Sequence, residues 1–122
     1  MMKEGFCRLL PGGDPASGMQ PTDDVPPEAF TTEDKTEIGH TFFRSDDKKT
    51  SAGVWQCAPT IEEFDEYPDN EMMTVISGSV TLTNASGDSE TFTSGDTFFI
   101  AKGAKIRWEI TEKLRKFYMA SS

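Results

Sequence analysis

Histidine is nearly missing from this chain: His40 is the only one in 122 residues. Imidazole is the usual ligand for zinc or iron and the usual general base, so chemistry that needs several histidines is excluded. Cysteine is scarce as well. Cys7 and Cys57 stand alone, without C-x-x-C spacing, which excludes a disulfide framework and a zinc ribbon. Two free thiols in a reducing compartment is the simpler reading. Cys57 as a nucleophile would have to use His40 as its base. Positive charge is in deficit, with 12 basic residues against 21 acidic and a net charge of −9. Such a chain is not built to bind nucleic acid or an anionic membrane surface. No apolar run is long enough for a membrane span or a signal peptide, which points to the cytoplasm.

What the chain does have is aromatic residues, nine Phe, two Trp and two Tyr, set among glycines and short polar turns. Runs of four to six residues rich in Val, Thr, Phe and Ile are bounded by Gly, Asp, Ser and Asn, the pattern of antiparallel strands. The densest example runs from Glu71 to Gly103. Turns are expected at Ser77-Gly78, at Asn84 to Asp88 and at Ser94-Gly95-Asp96. Repeated short strands without a long helix indicate an all-β sandwich or barrel, and the length suits one domain.

Residues 1–37 contrast with this. Pro11, Pro15, Pro21, Pro26 and Pro27, with Gly12, Gly13 and Gly18, interrupt any regular element. The segment reads as an extended N-terminal arm over the domain or a partner subunit, with a disordered tail as the alternative and Phe30 as its one apolar anchor. Residues 38–122 then form the barrel domain. Strands are expected at Ile38–Arg44 and Ala52–Cys57, joined as a hairpin by a charged turn. Thr60 to Asn70 reads as an irregular loop. Further strands follow at 71–76, 80–83, 90–93, 97–101, 106–110 and 114–119, about nine in all.

Period-two alternation puts Asp65, Tyr67, Asp69 and Glu71 on one side if the backbone stays extended through Pro68. Carboxylates facing a partly apolar barrel have three uses. One of them, Glu71 first, serves as a general acid or base. Together they bind a hard cation through oxygen, or they hold an amine-bearing molecule. Trp55 and Trp108 are candidates to line a small-molecule pocket. His40 reads as a strand-edge residue.

With these residues in place, the chain resembles the cupin superfamily. More narrowly, it is similar to small single-domain cupins related to the (S)-ureidoglycine aminohydrolase cupin domain. The resemblance rests on Gly53-Val54-Trp55-Gln56-Cys57, Tyr67 four before Glu71, Ile76-Ser77-Gly78, Gly87, Ser94-Gly95-Asp96 and Gly103. It continues through Trp108-Glu109-Ile110-Thr111 and Arg115-Lys116-Phe117-Tyr118, and it spans roughly residues 38–120. It implies an antiparallel double-stranded β-helix, the RmlC-like jelly-roll barrel.

A typical cupin metal site uses two histidines one residue apart, a glutamate four further on and a third histidine later. Those positions fall on Asp65, Tyr67, Glu71 and Ile106, and only Glu71 keeps the family's residue. The ureidoglycine variant, Glu, His, His and Gln, leaves only Asp65 with comparable chemistry. No cofactor is therefore expected, and a divalent metal is disfavoured.

The resemblance implies a small-molecule ligand in the barrel, with Glu71 as central polar group and Tyr67, Asp65 and Gln56 orienting it. Hydrolysis of a small nitrogenous compound is one activity it implies. A non-catalytic binding or dimerising module is the alternative, and a homodimer would account for the long arm. An open polar cavity with a perturbed carboxylate would favour an enzyme. A barrel closed by aromatic side chains would favour a scaffold.

Overall fold

Two long strands organise the molecule. A computed structural model describes residues 3–122, so the first two residues of the expected arm lie outside the described residues. Its strands are β1 (Gln20–Pro21), β2 (Glu37–Arg44), β3 (Thr50–Cys57), β4 (Thr60–Phe64), β5 (Asn70–Asn84), β6 (Ser89–Thr93), β7 (Thr97–Ile100) and β8 (Ile106–Ser121). β5 and β8 pair antiparallel over almost their whole lengths, from Asn70 opposite Ser121 to Asn84 opposite Ile106. Both are shared by two sheets. The first half of β5 joins β7, the second half joins β6, while β8 joins β4 at its start and β3 at its end. β3 continues to β2 and β1. The result is an all-β antiparallel jelly-roll barrel, as expected. Its core sits between the sheets and includes Val75, Val80, Phe98, Trp108, Ile110 and Leu114.

The crossing from one sheet to the other happens at Gly78. The pairing register of β5 with β8 shifts between Val75 and Val80. Gly78 has φ +86, and a Cβ there would collide with the Lys113 carbonyl of β8. Only glycine lets the two backbones come this close in a left-handed conformation. The Ser77-Gly78 turn expected from sequence is therefore a bulge inside one strand. Likewise the strands expected at 106–110 and 114–119 are one continuous strand; with the unexpected β1 and β4 added, the count among the described residues is eight.

Thr60 to Phe64 also departs from expectation. It is strand β4, paired with Ile106 to Ile110, rather than loop. Its acidic residues hid the alternation that turns Thr60, Glu62 and Phe64 to one side. No helix among the described residues is long and apolar enough to cross a membrane.

The arm is tied down more firmly than one apolar anchor allows. Val25 is buried, and Phe30 packs half-buried against the core. The decisive fastening is polar. Glu37, buried at the start of β2, accepts hydrogen bonds from Thr22 Oγ1 (2.6 Å), the Asp24 N–H (3.1 Å), the Val25 N–H (2.9 Å) and Trp55 Nε1 (2.9 Å). Burial alone would raise the Glu37 pKa, but these donors outweigh it and hold the group below its ordinary value of 4.5. The segment Pro21 to Val25 is thereby fixed across the barrel mouth.

Two predictions follow from these constraints. Gly78→Ala should cost about 3 kcal/mol or more in urea unfolding, since the strain of a left-handed residue adds to a backbone collision. Gly87→Ala, at φ +87 but in open space, should cost only about 1 kcal/mol. Glu37→Gln should lower stability by about 2 kcal/mol near neutral pH, through weakened charge-assisted hydrogen bonds. Because the folded pKa of Glu37 is depressed, its contribution is complete above the unfolded value and is lost as pH falls through the folded one. The gap between wild type and Glu37→Gln should be constant above about pH 6 and close in acid. A gap independent of pH down to acid unfolding would contradict the assignment.

Candidate functional site

The barrel is open at one end. A cavity of about 700 Å³ lies there, lined by the arm segment Pro21 to Val25, by Trp55, Phe64, Tyr67 and Trp108, and by Glu71 and Lys116. Its floor is built on the inward faces of β5 and β8. Alternation on β5 sends Glu71, Met73 and Val75 inward, and on β8 it sends Leu114 and Lys116 the same way.

Lys116 is the residue that reading the sequence for carboxylates missed. Its ammonium, buried at the floor, lies 2.9 Å from Glu71 Oε2 and 2.9 Å from Met73 Sδ. It also sits 4.9 Å from the ring centres of both Trp55 and Trp108. Glu71 is held from the other side, where the Tyr67 hydroxyl donates to Oε1 at 2.7 Å. Burial, and then the neighbouring Glu71 carboxylate, push the Tyr67 phenol far up, so it remains a proton donor. Tyr67 is held in place by its own backbone. Its N–H bonds the Ala104 carbonyl and its carbonyl accepts from the Gly103 N–H, each at 2.8 Å. The signal for Lys116 was in the sequence: it shares the period-two face of Leu114, Tyr118 and Ala120.

The other candidates divide. Glu71, Tyr67, Trp55 and Trp108 meet at the cavity. Asp65 is exposed and stands outside the lining, because the chain bends at Asp65-Glu66 rather than staying extended. Gln56 also lies outside the lining: its Oε1 accepts from Arg115 Nε at 2.9 Å. One residue separates Gln56 from Trp55 and Arg115 from Lys116, and that single step turns both side chains to the opposite face of the sheet. Asp69 does line the cavity, with its pKa raised by burial and by Glu71. Glu62, missed because its segment read as loop, lines it too, raised by burial and then by Glu37 and Asp24. His40 is at the cavity wall, edge-on to Phe42 at 4.5 Å. Cys57 is fully buried, and burial pushes its thiol up to about 12, far from a reactive thiolate.

The residues do not fit the metal that cupins often hold. The one family ligand present, Glu71, already pairs with a cation, the Lys116 ammonium. Tyr67 keeps its proton, Asp65 is outside the cavity and Ile106 has no donor atom. Among the described residues no cluster of three His, Cys, Asp or Glu side chains is placed to grip an ion. The cavity instead combines five acidic side chains, Asp23, Asp24, Glu62, Asp69 and Glu71, with two basic ones, Arg44 and Lys116. Its mouth favours positive charge, and its floor offers donors and acceptors in a dry aromatic setting.

A buried pair of this kind is sensitive to the loss of one member. Lys116→Met should destabilise the fold by about 3–5 kcal/mol, because it strands the Glu71 carboxylate. Adding Glu71→Gln should recover much of that loss. A double-mutant cycle by chemical denaturation measures it, and strict additivity of the two single costs would refute the coupling.

Comparison with known proteins agrees with this architecture. The model of the EutQ-like cupin domain matches residues 44–118. No curated protein matches the chain. Among solved structures, a Pseudomonas syringae pv. tomato protein of unknown function, assigned to the DUF861 family, superposes with a TM-score of 0.77 at 28% identity. The alignment covers 89% of this chain and 46% of that one, so the chain spans less than half the length of this relative. The ethanolamine utilization protein EutQ of Salmonella typhimurium superposes at 0.59 with 21% identity, over 73% of this chain and 72% of its own. EutQ of Clostridium difficile gives 0.59 with 20% identity, over 71% and 68%. At these identities the two EutQ structures show the fold. With more than half of its length matched by the family model, and with the jelly roll and its open cavity in place, the chain belongs to the EutQ-like cupin domain family.

Proposed function

We propose that the protein binds a small nitrogenous molecule in the barrel cavity without a metal ion. The observation that carries this reading is the hydrogen-bonded set Tyr67–Glu71–Lys116 at the floor of an open cavity of about 700 Å³. A volume of that size suits a compound of metabolite scale. The acidic mouth favours an amine or another N–H-rich group. At the floor, each Glu71 oxygen has a lone pair left for a ligand N–H and Lys116 can donate to a ligand carbonyl or carboxylate, while Tyr67, its one proton given to Glu71, holds that carboxylate in place. Trp55 and Trp108 provide flat apolar walls.

An open polar cavity with raised carboxylates at Asp69 and Glu62 supports a ligand site over a barrel closed by aromatics. A hydrolytic step on a ureido or amide compound, as in ureidoglycine aminohydrolase-like cupins, is the catalytic version of this proposal. Asp69 would then serve as base toward water, and Lys116, with an ammonium proton to spare, as donor to the carbonyl oxygen. The binding-module version needs only the floor. We place the protein in the cytoplasm, in keeping with its free thiols.

The experiment is a titration with hydantoate, glycinamide and propionate, read by tryptophan fluorescence and thermal shift, with ammonium release measured in the same samples. The expected result is saturable quenching by the nitrogenous compounds and not by propionate, weakened at least about tenfold by Tyr67→Phe, which removes the charge-assisted hydrogen bond that orients Glu71 toward the ligand. Release of ammonium that Asp69→Asn abolishes would assign the enzyme, and binding without release would assign the module. No response to either nitrogenous compound would refute the ligand class.

A further inference from the structure

Of the eight lysines in the chain, seven are exposed and one, Lys116, is buried. Its side chain is 7% exposed, yet it forms part of the cavity wall. An ammonium has three N–H groups. One is bonded to Glu71 Oε2 at 2.9 Å and one to the Met73 sulfur, a weak acceptor. The third has no protein acceptor among the described residues, and the rings of Trp55 and Trp108 flank the nitrogen. An ion pair that only joined two sheets would need no access from solvent. This one stands in the wall of an open cavity of about 700 Å³.

Lysines that form imines share two features. They are desolvated, and a base stands beside them to take the proton. Lys116 has both. We propose that Lys116 is a nucleophile that forms a reversible imine with a small uncharged aldehyde or ketone in the barrel cavity. This goes beyond the ligand reading above and does not depend on it. An amide or urea carbonyl is too weak an electrophile to give an imine and takes only a hydrogen bond from Lys116. An aldehyde carbon is open to attack by the same nitrogen.

The step balances without a further reagent. A proton moves from Lys116 Nζ to Glu71 Oε2 along the 2.9 Å bond. The freed lone pair bonds to the carbonyl carbon, and the C=O π pair moves to oxygen. A proton passes from nitrogen to that oxygen, giving a carbinolamine. Glu71 returns its proton to the hydroxyl, the C–O bond breaks with its electron pair, and water leaves through the open mouth. The nitrogen lone pair closes the C=N bond. The product is a protonated imine, Glu71 is a carboxylate again, and nothing is oxidised or reduced.

The site carries the same charge before and after. Glu71 and the two indole faces that compensate the ammonium therefore compensate the iminium as well. Tyr67 keeps Glu71 in position throughout. Asp23, Asp24, Glu62 and Asp69 line the same cavity, which disfavours an anionic oxo acid over an uncharged compound. Trp55, Trp108 and Phe64 offer the carbon chain an apolar wall.

Reductive trapping tests this on the full chain. The protein is incubated with limiting propionaldehyde and cyanoborohydride near neutral pH, and the propylated lysines are located by peptide mass mapping. Lys116 should be labelled at least about tenfold faster than any of the seven exposed lysines, which serve as reference in the same sample. Glyoxylate, an anion, should show a smaller preference for Lys116. In the double variant Lys116→Met/Glu71→Gln, whose buried charges are removed together, the exposed lysines should label as before and the fast reaction should be gone. Labelling of Lys116 no faster than the exposed lysines would overturn the proposal and leave the non-covalent reading of the cavity in place. Fast labelling that persists in the double variant would overturn it equally. A larger preference for Lys116 with glyoxylate would overturn the choice of an uncharged compound.

Discussion

The Lys116 ammonium is the charge around which the interior is arranged. A lysine head group cannot sit in a dry core without compensation, because the desolvation cost amounts to several kcal/mol. Here the compensation comes from every side. β5 supplies the Glu71 carboxylate and the Met73 sulfur, β3 supplies the face of Trp55, and the first half of β8 supplies the face of Trp108. These groups belong to both sheets of the jelly roll. The cation therefore pins the two sheets at the floor of the open end, and the cavity has a fixed polar base rather than an apolar plug. A fold that closes by apolar packing alone would pull Trp55 and Trp108 together and close the space between them.

The fold was legible because turn chemistry and alternation are local properties. Glycines after polar residues at 87, 95 and 103 mark real turns, and all three have positive φ. Gly78, where the sequence leads one to expect a turn, is a special backbone position inside a continuous strand. Nothing local separates a turn from a bulge that carries a strand from one sheet to another. That difference depends on the Lys113 carbonyl, 35 residues away in sequence. β4 was hidden for a related reason. Its inward residues include Glu62, whose charge masks the face it belongs to.

The site was legible in its carboxylate and not in its cation. Glu71, Tyr67 and the two tryptophans, named from the sequence, do meet at the cavity, and a carboxylate at the start of a core strand calls for a partner. Lysine is so often a solvated surface residue that Lys116, next to Arg115 in the sequence, passed as one. Only the alternation of β8 separates the two. Arg115 faces outward to Gln56 and to the carbonyl of Pro11 in the arm, and Lys116 faces inward to Glu71. Linear spacing puts Asp65 at the site, and the family resemblance puts Gln56 there. The bend at Asp65-Glu66 and the opposite pleat of Gln56 remove them from it.

Trp55 joins the two polar centres of the molecule. Its indole N–H is bonded to Glu37, which holds the arm over the cavity mouth, and its ring lies against the Lys116 ammonium on the floor. The mouth and the floor are therefore not adjusted separately. A shift of Trp55 large enough to admit a ligand between the ring and Lys116 would lengthen the bond to Glu37 and loosen Thr22 to Val25. A firmly held arm would in turn keep the indole in place. The acidic residues that arm carries, Asp23 and Asp24, are among the cavity's own walls. The segment that reads in sequence as a proline-broken arm is thus part of the cavity wall, and the buried carboxylate of Glu37 makes it so.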